Sequence, residues 1–188
     1  AQQLEMPAEN QLIRESFLQA SEFVGREAEL KRLTAALGTL ETNNAFFLIG
    51  GESGVGKSRL LDELRTRALV AGAEVMRGQA VEGGGLPFQL WRNVVRRIVL
   101  MLEVTDLQAG VLKDILPDVS ELLGRDIPDA PELTGKAYQE RMVLNIVDLF
   151  RELSQPVVLL LEDLQWTVES LAVVEQMLKV PEQLPRLM

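Results

Sequence analysis

Gly51-Glu52-Ser53-Gly54-Val55-Gly56-Lys57-Ser58 follows the apolar run Ala45-Phe46-Phe47-Leu48-Ile49 and precedes a helix-like segment. Strand, glycine-rich loop and helix in one stretch form the arrangement in which G-x-x-x-x-G-K-[ST] cradles phosphate. The glycines let the backbone take left-handed conformations and turn its N–H groups onto phosphate oxygens. Lys57 is placed to reach the β- and γ-phosphates and Ser58 to offer a hydroxyl to Mg²⁺. The helix start, with Arg59 behind it, adds partial positive charge. Gly51, Glu52, Ser53, Gly54, Val55, Gly56, Lys57, Ser58 and Arg59 are thus the candidate nucleotide-binding residues of this stretch, and a nucleoside triphosphate is the expected ligand.

The remaining composition narrows the field. A chain of 188 residues, 47% hydrophobic and 25% charged, fits one globular domain with a real core. No apolar run approaches the roughly 20 residues of a membrane span, and Ala1-Gln2-Gln3-Leu4-Glu5 lacks the pattern of a signal peptide. A nucleotide site without an export signal points to the cytoplasm. The chain has no cysteine and no histidine, so disulfides, thiolate or imidazole metal ligands and a histidine base are excluded. A formal net charge of −9 argues against binding DNA or RNA by phosphate neutralisation. Arg92, Arg96 and Arg97 lie close together, and a solvated helix face is the simpler account of them.

Periodicity supplies the frame. Residues 1–20 read as a tether, and 21–188 as the domain. Leu30, Leu33, Leu37 and Leu40 predict a helix over 28–40, and 45–49 a strand. Leu60, Leu61, Leu64 and Ala68 mark the helix after the loop, ending near Gly72, and 73–79 suits a second strand. A helical insertion spans about 87–153. Its first helix, 88–102, carries Trp91, Val94, Val95, Ile98, Val99 and Leu102 on one face. Short helices broken by Pro117, Pro128 and Pro131 follow, then a long helix over 136–153. Val157-Val158-Leu159-Leu160-Leu161 is apolar on both faces, as a buried central strand must be, and a last helix covers 168–179. Alternating strands and helices around such a loop predict a parallel sheet covered on both sides, with binding at the carboxyl ends of its strands.

That buried strand ends in Glu162-Asp163-Leu164-Gln165-Trp166. An acid at a strand tip can hold the water shell of Mg²⁺, and its neighbour can orient or deprotonate an attacking water in line with the γ-phosphate. By itself the pair also fits a solvated acidic turn; beside the phosphate cradle it becomes a catalytic candidate.

Residues 23–188 resemble the AAA-type ATPase modules of the STAND class, the signal-transduction ATPases with numerous domains, which occur in large multidomain bacterial signalling proteins. Phe23-Val24-Gly25-Arg26-Glu27-Ala28-Glu29-Leu30 looks like their opening F-V-G-R-E-x-E-L motif, Gly51 to Ser58 like Walker A, and Val157 to Trp166 like Walker B. The insertion with Gly84-Gly85-Leu86-Pro87-Phe88 falls between the two, as in the family. The resemblance implies a P-loop NTPase fold, a three-layer α/β/α sandwich with a parallel central sheet. It implies ATP or ADP with Mg²⁺ as ligands. Val24, Gly25 and Arg26 fall beside adenine and ribose, Lys57 and Ser58 on phosphate and metal, Glu162 on the metal and Asp163 at the catalytic acid. Many such ATPases have Asp then Glu at the last two positions, and the reversed order here alters side-chain length at both. Trp166 is expected to serve in packing. In the family a sensor strand follows, lying between the Walker A and Walker B strands, and then a helical lid. The chain stops at Leu184-Pro185-Arg186-Leu187-Met188, about where that strand would begin, so it reads as truncated before the sensor strand and lid. The sheet must then close the gap, leave an apolar slot or borrow a strand, and an unpaired edge favours self-association.

These features point to a regulatory module that binds and hydrolyses ATP, its nucleotide state read by other domains of a parent protein. Two alternatives share the cradle. One is a nucleotide-gated scaffold with negligible turnover; the other is a small-molecule phosphotransferase, against which the F-V-G-R-E motif and the lack of an evident substrate lid both argue.

Overall fold

The computed structural model describes residues 25–83, 85–184 and 186–188. Val24, the tether and Gly84 of the expected motifs lie outside the described residues. Helix α1 (Glu27–Leu37) leads through turns to the 51–58 loop, and α2 (Lys57–Val70) follows it. Strand β1 (Glu74–Gln79) comes next, then a 3₁₀ turn (Gln89–Trp91) and the helices α3 (Arg92–Val99), α4 (Asp106–Leu112), α5 (Val119–Leu123) and α6 (Gly135–Arg151). Strand β2 (Val157–Glu162), a 3₁₀ turn (Leu164–Trp166) and α7 (Leu171–Lys179) complete the order.

β1 and β2 pair in parallel, with Glu74 opposite Val157 and Gln79 opposite Glu162. The alternation of a strand then sends successive side chains to opposite faces. Val158 and Leu160 join Leu30, Leu33, Leu37, Leu60, Leu64 and Ala68 in one apolar cluster on the α1–α2 side. Met76 and Val157 join Trp91, Val94, Ile98, Met142, Ile146 and Phe150 in a larger cluster on the other side. The result is the expected α/β/α layering. Trp91 is fully buried: its ring meets Phe150 edge-on at 6.2 Å, and its Nε1–H donates to the Ser170 carbonyl at 2.9 Å. An indole buried here without that acceptor would leave a donor unsatisfied.

One expected strand is missing from the ladder. Residues 46–49 take part in no strand pairing among the described residues. The segment touches the sheet through Ala45, whose N–H donates to the Leu187 carbonyl at 3.0 Å. Leu187 in turn bridges Val157 in parallel, and Leu159 N–H donates to Met188 at 2.7 Å. Residues 186–188 therefore sit between β2 and the 45–49 segment, and Asn44 clamps them there. Its amide donates to the carbonyls of Pro181 and Leu184, and its Oδ1 accepts from Leu187 N–H. Beside Met188, residues 47–50 and β2 line a slot. A strand is made by backbone pairing, and among the described residues no backbone bond joins 46–49 to β1, β2 or 186–188.

Candidate functional site

A cavity of about 600 Å³ fills that slot and opens onto the loop. Its polar end is lined by Gly51, Ser53, Lys57, Ser58, Glu162 and Asp163, and its apolar end by Phe47, Ile49, Leu61, Leu159, Leu161 and Met188 among others. The cradle and the acids, far apart in sequence, thus face one space because α2 packs on the face of the sheet that carries Val158 and Leu160.

The loop is built as its glycines require. Gly54 and Gly56 have φ of 81° and 86°, and Gly56 is the left-handed N-cap from which α2 starts. No side chain caps this helix end, so its first N–H groups and its dipole remain directed at the loop, as anion binding needs. Lys57 Nζ turns back and donates to the carbonyls of Gly51 and Glu52, both at 2.8 Å. The ammonium is thereby held over the loop at the position from which phosphate oxygens could be reached.

Arg26 has a role that sequence alone did not suggest. Its Nε donates to the Val55 carbonyl at 3.0 Å, which fastens the start of α1 to the crown of the loop. Gly25 N–H donates to Glu27 Oε1 at 2.8 Å, and this bond, with Glu27's own N–H, holds that carboxyl below its ordinary range. Gly25 and Arg26 are therefore beside the loop, and neither lines the cavity. Glu52, Gly54, Val55, Gly56 and Arg59 belong to the loop and helix start without lining the cavity.

The acids have partners from β1. Glu162 is 9% exposed, and its Oε1 accepts from Arg77 Nε. Arg77 also lies 3.6 Å from Asp62 on α2. The bond to Glu162, with the charges of Glu162, Asp62 and Asp163, raises the guanidinium pKa against the opposing effect of burial. Asp163 has a left-handed backbone, φ 59°, and its Oδ2 accepts from Gln79 Nε2 at 2.8 Å. A non-glycine residue in that conformation costs roughly 1–3 kcal/mol and persists where its surroundings enforce it. Here the strand tip turns sharply into the Leu164–Trp166 turn. That turn carries Trp166, which is 43% exposed and lies outside both apolar clusters, so the packing expected of it is partial. Arg77 and Gln79 were not singled out from the sequence; the only sign of them is polar residues alternating with Met76 and Gly78 in β1.

The hard oxygens of Ser58 and Glu162 fit Mg²⁺. No cluster of three His, Cys, Asp or Glu able to hold a metal occurs among the described residues. Mg²⁺ that rides on a polyphosphate needs no such cage, only one or two protein oxygens beside the phosphates.

Two of the three arginines noted on α3 are paired, Arg96 with Asp118 and Arg97 with Glu74. No helix among the described residues is long and apolar enough to cross a membrane.

The model of one protein family, described as the AAA ATPase domain, matches residues 22–188. No curated protein and no solved structure matches the chain.

Proposed function

The chain belongs to the AAA ATPase domain family, and from that premise we propose that it binds Mg-ATP between the 51–58 loop and the tip of β2, hydrolyses it, and serves as a nucleotide-driven switch. Other domains of a larger signalling protein of the STAND class would read the switch. The observation that carries the reading is the single cavity bordered by Lys57 and Ser58 on one side and by Glu162 and Asp163 on the other.

The residues divide the work by position. Loop N–H groups and the open start of α2 receive the phosphates. Lys57, two of whose three N–H donors hold loop carbonyls, gives the third to phosphate oxygens. Ser58 and Glu162 would hold Mg²⁺, which when bound neutralises charge developing on the phosphates. Asp163 orients the water for in-line attack and takes up its proton. Arg26 keeps the loop in register by its bond to Val55. Catalysis of this type is positioning and electrostatics, with no covalent intermediate on the protein.

Calorimetric titration with Mg-ATP and a phosphate-release assay test this. Lys57→Ala is expected to lose binding, while Asp163→Asn keeps binding and loses turnover. Undiminished turnover by Asp163→Asn would remove Asp163 from the catalytic role. A second reading, binding with negligible hydrolysis, draws support from the engagement of both acids by Arg77 and Gln79. A wild-type protein that binds ATP and never releases phosphate decides for it.

A further inference from the structure

Arg77 belongs to none of the motifs that define the loop or the acids, yet it joins them. Val75, Arg77 and Gln79 share the face of β1 that looks toward α2, because side chains alternate along a strand. From that face Arg77 reaches Glu162 at the tip of β2 and Asp62 on α2, one helical turn beyond Ser58. It spans the wall of the cleft from the loop's helix to the acid strand. Glu162 is buried, and a buried carboxylate needs a compensating charge.

We propose that Arg77 is a positioning residue that supplies the compensating charge for Glu162 whenever no metal is present, and so lets a polyphosphate enter the cleft without magnesium. The inference rests on the nucleotide reading above. Without Arg77, Glu162 would face an incoming polyphosphate as an unpaired negative charge in a poorly solvated wall, and the two would repel. With magnesium bound, the cation takes over that compensation, and Arg77 matters less. Arg77 therefore sets how steeply nucleotide affinity depends on magnesium. It does not set the affinity in saturating magnesium.

The test measures the Kd for ATP of the whole chain in excess EDTA and in saturating Mg²⁺. Arg77→Met is expected to weaken binding in EDTA about tenfold, the effect of one unscreened charge at short range, and to change binding in Mg²⁺ less than about threefold. Arg77→Lys, which keeps the charge without the fork, restores part of the EDTA affinity. Arg77→Met combined with Glu162→Gln removes the orphaned charge and returns EDTA binding to the wild-type level. Glu162→Gln alone removes the negative charge nearest Arg77, leaving Asp62 beside it, and tightens EDTA binding, a measurement that remains if Arg77→Met does not fold. Equal weakening in both buffers, or no rescue by the double variant, overturns the inference while leaving the nucleotide reading intact. A wild-type chain that binds no ATP in either buffer overturns the nucleotide reading and this inference with it.

Discussion

Gly78 lies between the two β1 residues that hold the acids, and replacing it tests whether the close approach behind it is as tight as the geometry requires. A Cβ at this position would sit 2.5 Å from the Leu90 carbonyl oxygen and 3.1 Å from Leu161 Cδ2. Ordinary van der Waals contact begins near 3.4 Å, so the Gln89–Trp91 turn would have to retreat by most of an ångström. Retreat is opposed by the buried Trp91, fixed by its bond to Ser170. Overfilling a site of this kind costs about 1–3 kcal/mol. At a central value of about 2 kcal/mol, a domain of this size should lose about 4–8 °C in Tm. Urea unfolding followed by circular dichroism should show a lower midpoint with unchanged m for Gly78→Ala. Gly38→Ala is the control. Gly38 has φ −65° and ψ −17°, and the nearest atom to its ideal Cβ is at 3.4 Å. That exchange should be neutral or stabilising by up to about 1 kcal/mol. If Gly78→Ala unfolds within about 0.5 kcal/mol of wild type, a difference within the ordinary surface range, the steric account of β1 against the turn is wrong.

Further outcomes follow from other contacts. Trp91→Phe should destabilise by about 1–3 kcal/mol, because the Ser170 carbonyl loses its buried donor; an unchanged urea midpoint would contradict this. Asn44→Ala removes three hydrogen bonds that clamp the final segment, and hydrogen exchange at Val157 and Leu159, whose N–H groups bond residues 186 and 188, should accelerate; unaltered protection would refute the clamp. Tyr138 is the one tyrosine in the chain, so tyrosinate absorbance reports it alone. Burial, then the charge of Asp114 and a hydrogen bond to it, raise its pKa above 10.0, against the effect of Arg141. The folded state then keeps its proton where the unfolded state has lost it, so this contribution to stability is full below pH 10 and fades as pH rises through the folded value. The folded titration midpoint should exceed the one in denaturant, and Tyr138→Phe should soften the alkaline loss of stability; equal midpoints would dispose of the argument.

The sequence is most legible where structure is set locally. The helix after the loop begins at Lys57 because a left-handed glycine precedes it, and both facts are written in one octapeptide. The double-sided apolar run of β2 is equally direct, since only a strand covered on both faces requires it. What escaped has a non-local cause. Residues 45–49 have the composition of a strand, but whether they pair depends on what lies beside them. Arg77 and Gln79 acquire their meaning from the parallel register that sets Gln79 opposite Glu162, and no spacing along the chain reveals that register. Trp166 was expected to pack, and at 43% exposure it does so only in part, in the turn that follows the left-handed Asp163.

The resting contacts of the loop bear on how nucleotide affinity should be interpreted. Lys57 holds two carbonyls of its own loop, and Arg26 holds a third at Val55. These bonds order the loop, which reduces the entropy lost when phosphate binds. An ammonium has three N–H donors, so Lys57 can keep both carbonyls and still offer one N–H to the phosphates. Arg26, whose acceptor is at the crown of the loop, orders the loop from the other end. Removing Arg26 should therefore weaken ATP binding through loop order alone, with loss in kon and little change in magnesium dependence. Removing Arg77 should show the opposite pattern. Stopped-flow binding of a fluorescent ATP analogue to Arg26→Ala and Arg77→Met, each in EDTA and in Mg²⁺, separates the two. Matching profiles for the two variants would mean that loop order and acid compensation are not distinct functions in this site.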